Sequence, residues 1–165
     1  MATITFQGNP VQTSGNLPQV GQQAPNFSLT GSDFQPLTLE NLKGQRVILN
    51  IFPSIDTGIC ALSVKRFNEA AAQLENTKVV CISRDLPFAQ QRFCGAEGIK
   101  NVVNASDFAT GTFSKDYGLL MTDGLFANLS ARAVVILDET GKVIYTELVP
   151  EIAQEPDYTA ALASL

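Results

Sequence analysis

The sequence predicts an α/β sandwich with a mixed central sheet and an N-terminal β-hairpin, and three observations carry that prediction. Between Val47 and Gly98, apolar runs alternate with segments of helical period, the pattern of consecutive strand–helix units. Ala133–Leu137 and Val143–Val149 are two further apolar runs joined by Asp138-Glu139-Thr140-Gly141, which reads as a hairpin. A hairpin added to parallel strand–helix units makes the sheet mixed. At the start, Thr3–Phe6 and Val11–Thr13 alternate around Gly8-Asn9-Pro10 and form a short hairpin at an edge.

Each element follows from local chemistry. Gly15–Pro36 is rich in Gly, Pro, Ser, Asn and Gln and reads as loop, with a strand signal only at Phe27-Ser28-Leu29. Leu37–Leu42 is expected to make one short turn. Val47–Phe52 is apolar throughout except Asn50 and stops at Pro53, as a central strand buried on both faces does. Val64, Phe67, Ala71 and Leu74 then recur at three and four residues, with Lys65, Arg66, Glu69 and Gln73 between them, so the next element is an amphipathic helix. Lys78–Ser83 is a second buried strand. Pro87 opens a second helix that runs toward Gly95 or Gly98, because proline is tolerated in the first turn and glycine favours the end. A weaker helix covers Thr112–Tyr117, and Asp157–Leu165 closes the chain as a helix. The 165 residues suit a single domain, 1–165, with one sizeable core.

Composition excludes several function classes. There are 11 basic and 16 acidic residues, a net charge of −5, and no Lys/Arg cluster, so neither nucleic acid nor an anionic membrane is an expected partner. The longest apolar run, Ala133–Leu137, is far short of the roughly 20 residues of a spanning helix. Met1–Pro10 has neither a basic start nor an apolar stretch, so no secretory signal is visible and the cytoplasm is the default compartment. Histidine is absent, which removes Ser-His-Asp and Cys-His mechanisms together with the commonest metal ligand. With three cysteines and no histidine, Cys₄ and Cys₂His₂ zinc sites are out of reach. No metal and no cofactor is expected.

The three thiols are the remaining source of chemistry. Cys60 lies just after a buried strand and the loop Ser54-Ile55-Asp56-Thr57-Gly58, at the start of the amphipathic helix. Unpaired N–H groups and the helix dipole favour an anion there, in this case a thiolate. A small hydrophobe packed beneath the sheet is the competing reading for any cysteine. Cys81, between Val80 and Ile82 in a central strand, takes that second reading and has no part in the mechanism.

Pro53-Ser54-Ile55-Asp56-Thr57-Gly58-Ile59-Cys60 resembles the P-x-x-x-[TS]-x-x-C signature of the peroxiredoxins. Asn50-Ile51-Phe52, Leu86-Pro87-Phe88-Ala89-Gln90, Arg92-Phe93-Cys94-Gly95-Ala96-Glu97-Gly98 and Ala131-Arg132-Ala133 extend the likeness to the thiol peroxidase subfamily, the atypical two-cysteine peroxiredoxins of bacteria. It runs from Phe6-Gln7-Gly8-Asn9-Pro10 to Glu155-Pro156-Asp157-Tyr158. The resemblance implies a thioredoxin-like fold, a peroxidatic Cys60 in a pocket completed by Pro53, Thr57 and Arg132, and a resolving Cys94. It also implies hydroperoxide substrates, an intramolecular Cys60–Cys94 disulfide recycled by thioredoxin, and a homodimer.

Each implied role has a physical reason and a plainer alternative. Thr57 offers a hydroxyl to the thiolate and to a peroxide oxygen, or caps the helix. Arg132 offers fixed donors and permanent charge, or is a solvated residue leading into a strand. Pro53 lacks an N–H and shields the sulfur from water, or simply ends its strand. Cys94 is the resolving thiol or a buried helix residue. Arg92 is expected to be solvated. Phe88, Phe93, Met121, Leu125 and Phe126 form either an apolar collar for substrate or, more commonly for such residues, core. A general disulfide oxidoreductase is the alternative enzyme, although Cys60-Ala61-Leu62-Ser63 lacks the second cysteine of C-x-x-C. A redox-sensing binding module is the alternative of a different class.

Overall fold

The computed structural model describes all 165 residues. Strands β1 (Thr3–Phe6) and β2 (Asn9–Gln12) form a separate antiparallel pair. The main sheet contains β3 (Ser28–Gly31), β4 (Pro36–Thr38), β5 (Arg46–Ile51), β6 (Thr77–Ser83), β7 (Val103–Ser106), β8 (Ala133–Leu137) and β9 (Val143–Leu148) in the order β4-β3-β7-β6-β5-β8-β9. β5, β6 and β7 are parallel, and their neighbours β3 and β8 run antiparallel to them. The helices are α1 (Leu39–Leu42), α2 (Gly58–Ala71), α3 (Pro87–Glu97), α4 (Thr112–Asp116) and α5 (Tyr158–Ala163). The mixed sheet, the N-terminal strand pair and the closing helix agree with the reading of the sequence.

The apolar runs work as buried strands because both faces of the sheet are covered. On β5, Val47, Leu49 and Ile51 join one core with Leu39, Leu42, Phe113 and Tyr117. The alternate residues Ile48 and Phe52 join a second core with Val64 and Phe67 of α2 and Ala161 of α5, against which Phe93 of α3 packs. This two-residue alternation is the strand period. Two parallel crossovers, β5-α2-β6 and β6-α3-β7, therefore place both cysteine-bearing helices in one layer on the same face of the sheet.

Three strands depart from expectation. β4 falls where only a turn was expected, since Pro36 on a sheet edge leaves no central ladder bond unmade. β7 has the sequence Val103-Asn104-Ala105-Ser106, too polar to stand out as a strand, yet three of its residues are buried and it pairs with both β6 and β3. β2 begins two residues earlier than expected and includes Pro10.

Candidate active site

The chain leaves β5 at Ile51, and Pro53 ends the ladder. The loop to α2 is tightened by the carbonyl of Ser54, which accepts the backbone N–H of Thr57 at 3.2 Å and its hydroxyl at 3.1 Å. Thr57 is the N-cap residue of α2, but its side chain makes no capping bond. Cys60 is thus the third residue of the helix, in its uncapped first turn, where the dipole favours negative charge. Its side chain is fully buried.

Arg132 reaches the same sulfur from the opposite side. It lies immediately before β8, antiparallel to β5, and its Nη2 donates to Cys60 Sγ at 3.3 Å. Its Nε donates to the carbonyl of Ile152 at 3.0 Å, which fixes the plane of the guanidinium. The plainer alternative, a solvated arginine leading into a strand, does not hold: Arg132 is 2% exposed. Burial of a cation is tolerated here because two of its nitrogens have partners. Nη1 is buried with no partner in the protein.

A cavity of about 200 Å³ opens over this point, lined by Phe6, Pro53, Thr57, Ile59, Phe126, Arg132 and Ile152 among others. Pro53 is buried in this wall. The structure therefore brings Cys60, Arg132, Thr57 and Pro53 together. It also corrects the orientation of Thr57, whose hydroxyl proton points to Ser54 rather than to the thiol, leaving the oxygen's lone pairs as its remaining capacity. Of the apolar collar, only Phe126 lines the cavity. Met121 is core, Phe93 packs against the α2–α3 layer, and Phe88 and Leu125 are exposed. Phe6, paired with Phe126 at 4.6 Å between ring centroids, was missed because a lone aromatic in an edge strand carries no signal of its own. Two wider surface hollows, of about 400 and 450 Å³, are lined by none of the cysteines and not by Arg132.

Cys94 lies on α3, half-buried, and all three cysteines are free thiols. Asn104 of β7 donates to its sulfur at 2.9 Å. Burial raises the pKa of the Cys94 thiol and the Asn104 bond only partly opposes this, so the group is held protonated. Cys81 is fully buried on β6 beside Asn50, and burial pushes its thiol up to about 12, in keeping with a packing role. Arg92 is not simply solvated: it pairs with Asp56 of the β5–α2 loop at 3.0 Å, an exposed bridge between α3 and the segment before Cys60. No cluster of three or more Cys, Asp or Glu side chains is arranged to hold a metal ion.

A helix-start thiol under a buried arginine, on an α/β sandwich of this topology, defines a class of protein, and comparison with known proteins places the chain in it. The redoxin family matches residues 19–162. Thiol peroxidases of Corynebacterium glutamicum and Mycobacterium tuberculosis are 53% and 55% identical over 165 residues, covering 100% of this chain and 99% of each relative. A peroxiredoxin-like protein from Aquifex aeolicus superposes with a TM-score of 0.93 at 39% identity, over 99% of this chain and 95% of that one. The chain belongs to the redoxin family and, within it, to the thiol peroxidases. A thiol peroxidase from Chromobacterium violaceum, 21% identical, shares the fold with a TM-score of 0.89 over 98% of this chain and 93% of its own.

Proposed function

We propose that the protein is a thiol-dependent peroxidase that reduces hydrogen peroxide and organic hydroperoxides, with Cys60 as the attacking sulfur and Cys94 as the resolving one. The contact of the buried Arg132 guanidinium with Cys60 Sγ at the first turn of α2 is the observation that carries this reading. The Cys60 thiolate attacks the distal oxygen of the peroxide. An S–O bond forms as the O–O bond breaks, leaving a sulfenic acid on Cys60 and an alkoxide or hydroxide that takes up a proton to leave as alcohol or water. The free Nη1 of Arg132 supplies a fixed donor to the oxygens as charge builds on them. Thr57, its own proton committed to Ser54, accepts a hydrogen bond from the peroxide. Pro53 keeps an N–H and water off the sulfur.

Cys94 then attacks the Cys60 sulfenic sulfur, forming the S–S bond and releasing water. The two thiols start on different helices, so α3 unwinds first. Unwinding exposes Cys94 and removes the burial that keeps it protonated, so the resolving nucleophile is released by the same motion that delivers it. A thioredoxin dithiol reduces the disulfide and completes the cycle.

The protein works as one domain, residues 1–165, in the cytoplasm, where three thiols persist unpaired. It forms a homodimer through an apolar surface to which Phe34, Leu86 and Phe88 contribute; Phe88 is 67% exposed and packs against Phe34 with ring centroids 4.9 Å apart and planes tilted by 49°. Sedimentation of wild type against Phe88→Glu tests the dimer. The function is tested by peroxide consumption with and without thioredoxin and its reductase. Turnover requiring both peroxide and thioredoxin, and lost in Cys60→Ser, is the expected result. Reduction of protein disulfides without peroxide turnover would instead mark the general oxidoreductase.

A further inference from the structure

We propose that Asp85 is a positioning residue for the peroxidatic loop, a role that rests on Cys60 being the attacking sulfur. Asp85 lies outside the cavity lining, in the short connection between β6 and α3, yet its half-buried carboxylate is spent on the β5–α2 loop. Oδ1 accepts the hydroxyl of Ser54 at 2.7 Å and Oδ2 accepts the N–H of Ile55 at 2.7 Å. Ile55 is 2% exposed, so without Asp85 its N–H has little access to water as a substitute.

One bond further on is the reactive centre. Ser54 accepts both the N–H and the hydroxyl of Thr57, and Thr57 accepts the N–H of Ala61, which follows Cys60. The direction of the Thr57 lone pairs is therefore set by Ser54, and Ser54 is set by Asp85. Charge-assisted hydrogen bonds of this length are strong and directional, and a reaction that needs sulfur, hydroxyl and guanidinium aligned on one O–O bond is sensitive to small displacements.

Asp85 is itself held from behind. Ser83 donates to Oδ2 at 2.6 Å while accepting from Gln90 Nε2 at 3.1 Å, and Ser106 donates to the Asp85 carbonyl. Gln90 is one of two buried residues of α3. The loop before Cys60 and the helix carrying Cys94 thus share one anchor, independent of the exposed Arg92–Asp56 bridge.

The test measures the second-order rate of reduced protein with hydrogen peroxide by stopped flow, together with the rate of Cys60 alkylation by iodoacetamide and the melting temperature. Asp85→Ala is expected to react with peroxide on the order of 10²-fold more slowly, while alkylation, which uses neither Thr57 nor Arg132 as a partner to oxygen, falls far less. Asp85→Asn keeps an acceptor for Ile55 N–H and recovers most of the peroxide rate. Asp107 is the matched control: its carboxylate accepts two N–H groups and a hydroxyl at α4, so Asp107→Ala lowers the melting temperature without the selective loss of peroxide reactivity. If Asp85→Ala does not fold, Ser54→Ala breaks the same link and takes its place in the comparison. A wild-type ratio of peroxide to alkylation rates in the folded variant, or an equal fall in Asp107→Ala, overturns the assignment of Asp85. Undiminished peroxide consumption in Cys60→Ser overturns the underlying reading of the site instead.

Discussion

Arg132 has two jobs at the level of single residues, and substitution separates them. Its Nε holds Ile152 and its Nη2 holds Cys60, so Arg132→Ala removes the donor to the Cys60 sulfur and also leaves a buried carbonyl unpaired. Peroxide reduction is expected to slow by roughly 10²–10³, and stability to fall by about 1–3 kcal/mol, as read by stopped flow and urea denaturation. Arg132→Lys keeps the charge but not the planar fork, and should recover more stability than rate. Cys81→Ser is the opposite case. The Cys81 thiol is held protonated by burial, so its loss should leave peroxidase turnover intact while a poorly satisfied hydroxyl costs about 1–3 kcal/mol. The sequence pattern was enough to group Cys60, Thr57, Pro53 and Arg132. It was not enough to show that Arg132 is buried, because only its two partners, 72 and 20 positions away, make burial of a cation tolerable.

At the level of elements, α3 and the N-terminal hairpin are the parts whose behaviour the site depends on. α3 has no side-chain N-cap, buries only Pro87 and Gln90, and ends on Gly98 in the left-handed region at φ 67°. Beyond the side-chain links of Gln90, Arg92 and Cys94 it buries little of its surface, and it is suited to local opening. Amide exchange across Pro87–Glu97 should therefore be faster in oxidised than in reduced protein, while α2 beyond its first turn stays protected. Unchanged exchange in α3 would contradict the unwinding step. The β1–β2 hairpin carries Phe6 to the cavity and is pinned by Glu151, whose carboxylate accepts the N–H groups of Ala153 and Gly8 and the hydroxyl of Thr5. Those bonds, Ala153 first, hold its pKa at about 2, below the ordinary 4.5. A depressed carboxylate pKa contributes stability that is present above the unfolded value and disappears as pH falls through the folded one. The stability difference between wild type and Glu151→Gln should accordingly be constant above about pH 5, shrink below about pH 4.5, and be largely gone near pH 2. Glu151 is only partly buried and its carboxylate stays close to solvent, so this difference is small and salt-sensitive.

For the whole molecule, the architecture was legible wherever one local signal sufficed. Val47–Phe52, Lys78–Ser83 and Ala133–Leu137 announce themselves by their apolar runs, and α2 by its period. β7 and β4 did not, because the Asn104 amide and the Ser106 hydroxyl donate to groups brought in from α3 and the Asp85 connection, and Pro36 is harmless only at a sheet edge. The cavity was legible by its reactive side and, on its apolar side, only at Phe126, since Phe6 and Ile152 arrive from opposite ends of the chain. The central claim, that Cys60 takes the oxygen and Cys94 resolves it, is tested most directly by mass spectrometry of reduced protein given one equivalent of peroxide. Wild type should yield a single disulfide linking the peptides of Cys60 and Cys94, and Cys94→Ser should trap one oxygen atom on Cys60, with further oxidation as peroxide is raised. A disulfide through Cys81, or oxygen on any thiol other than Cys60, would contradict the account.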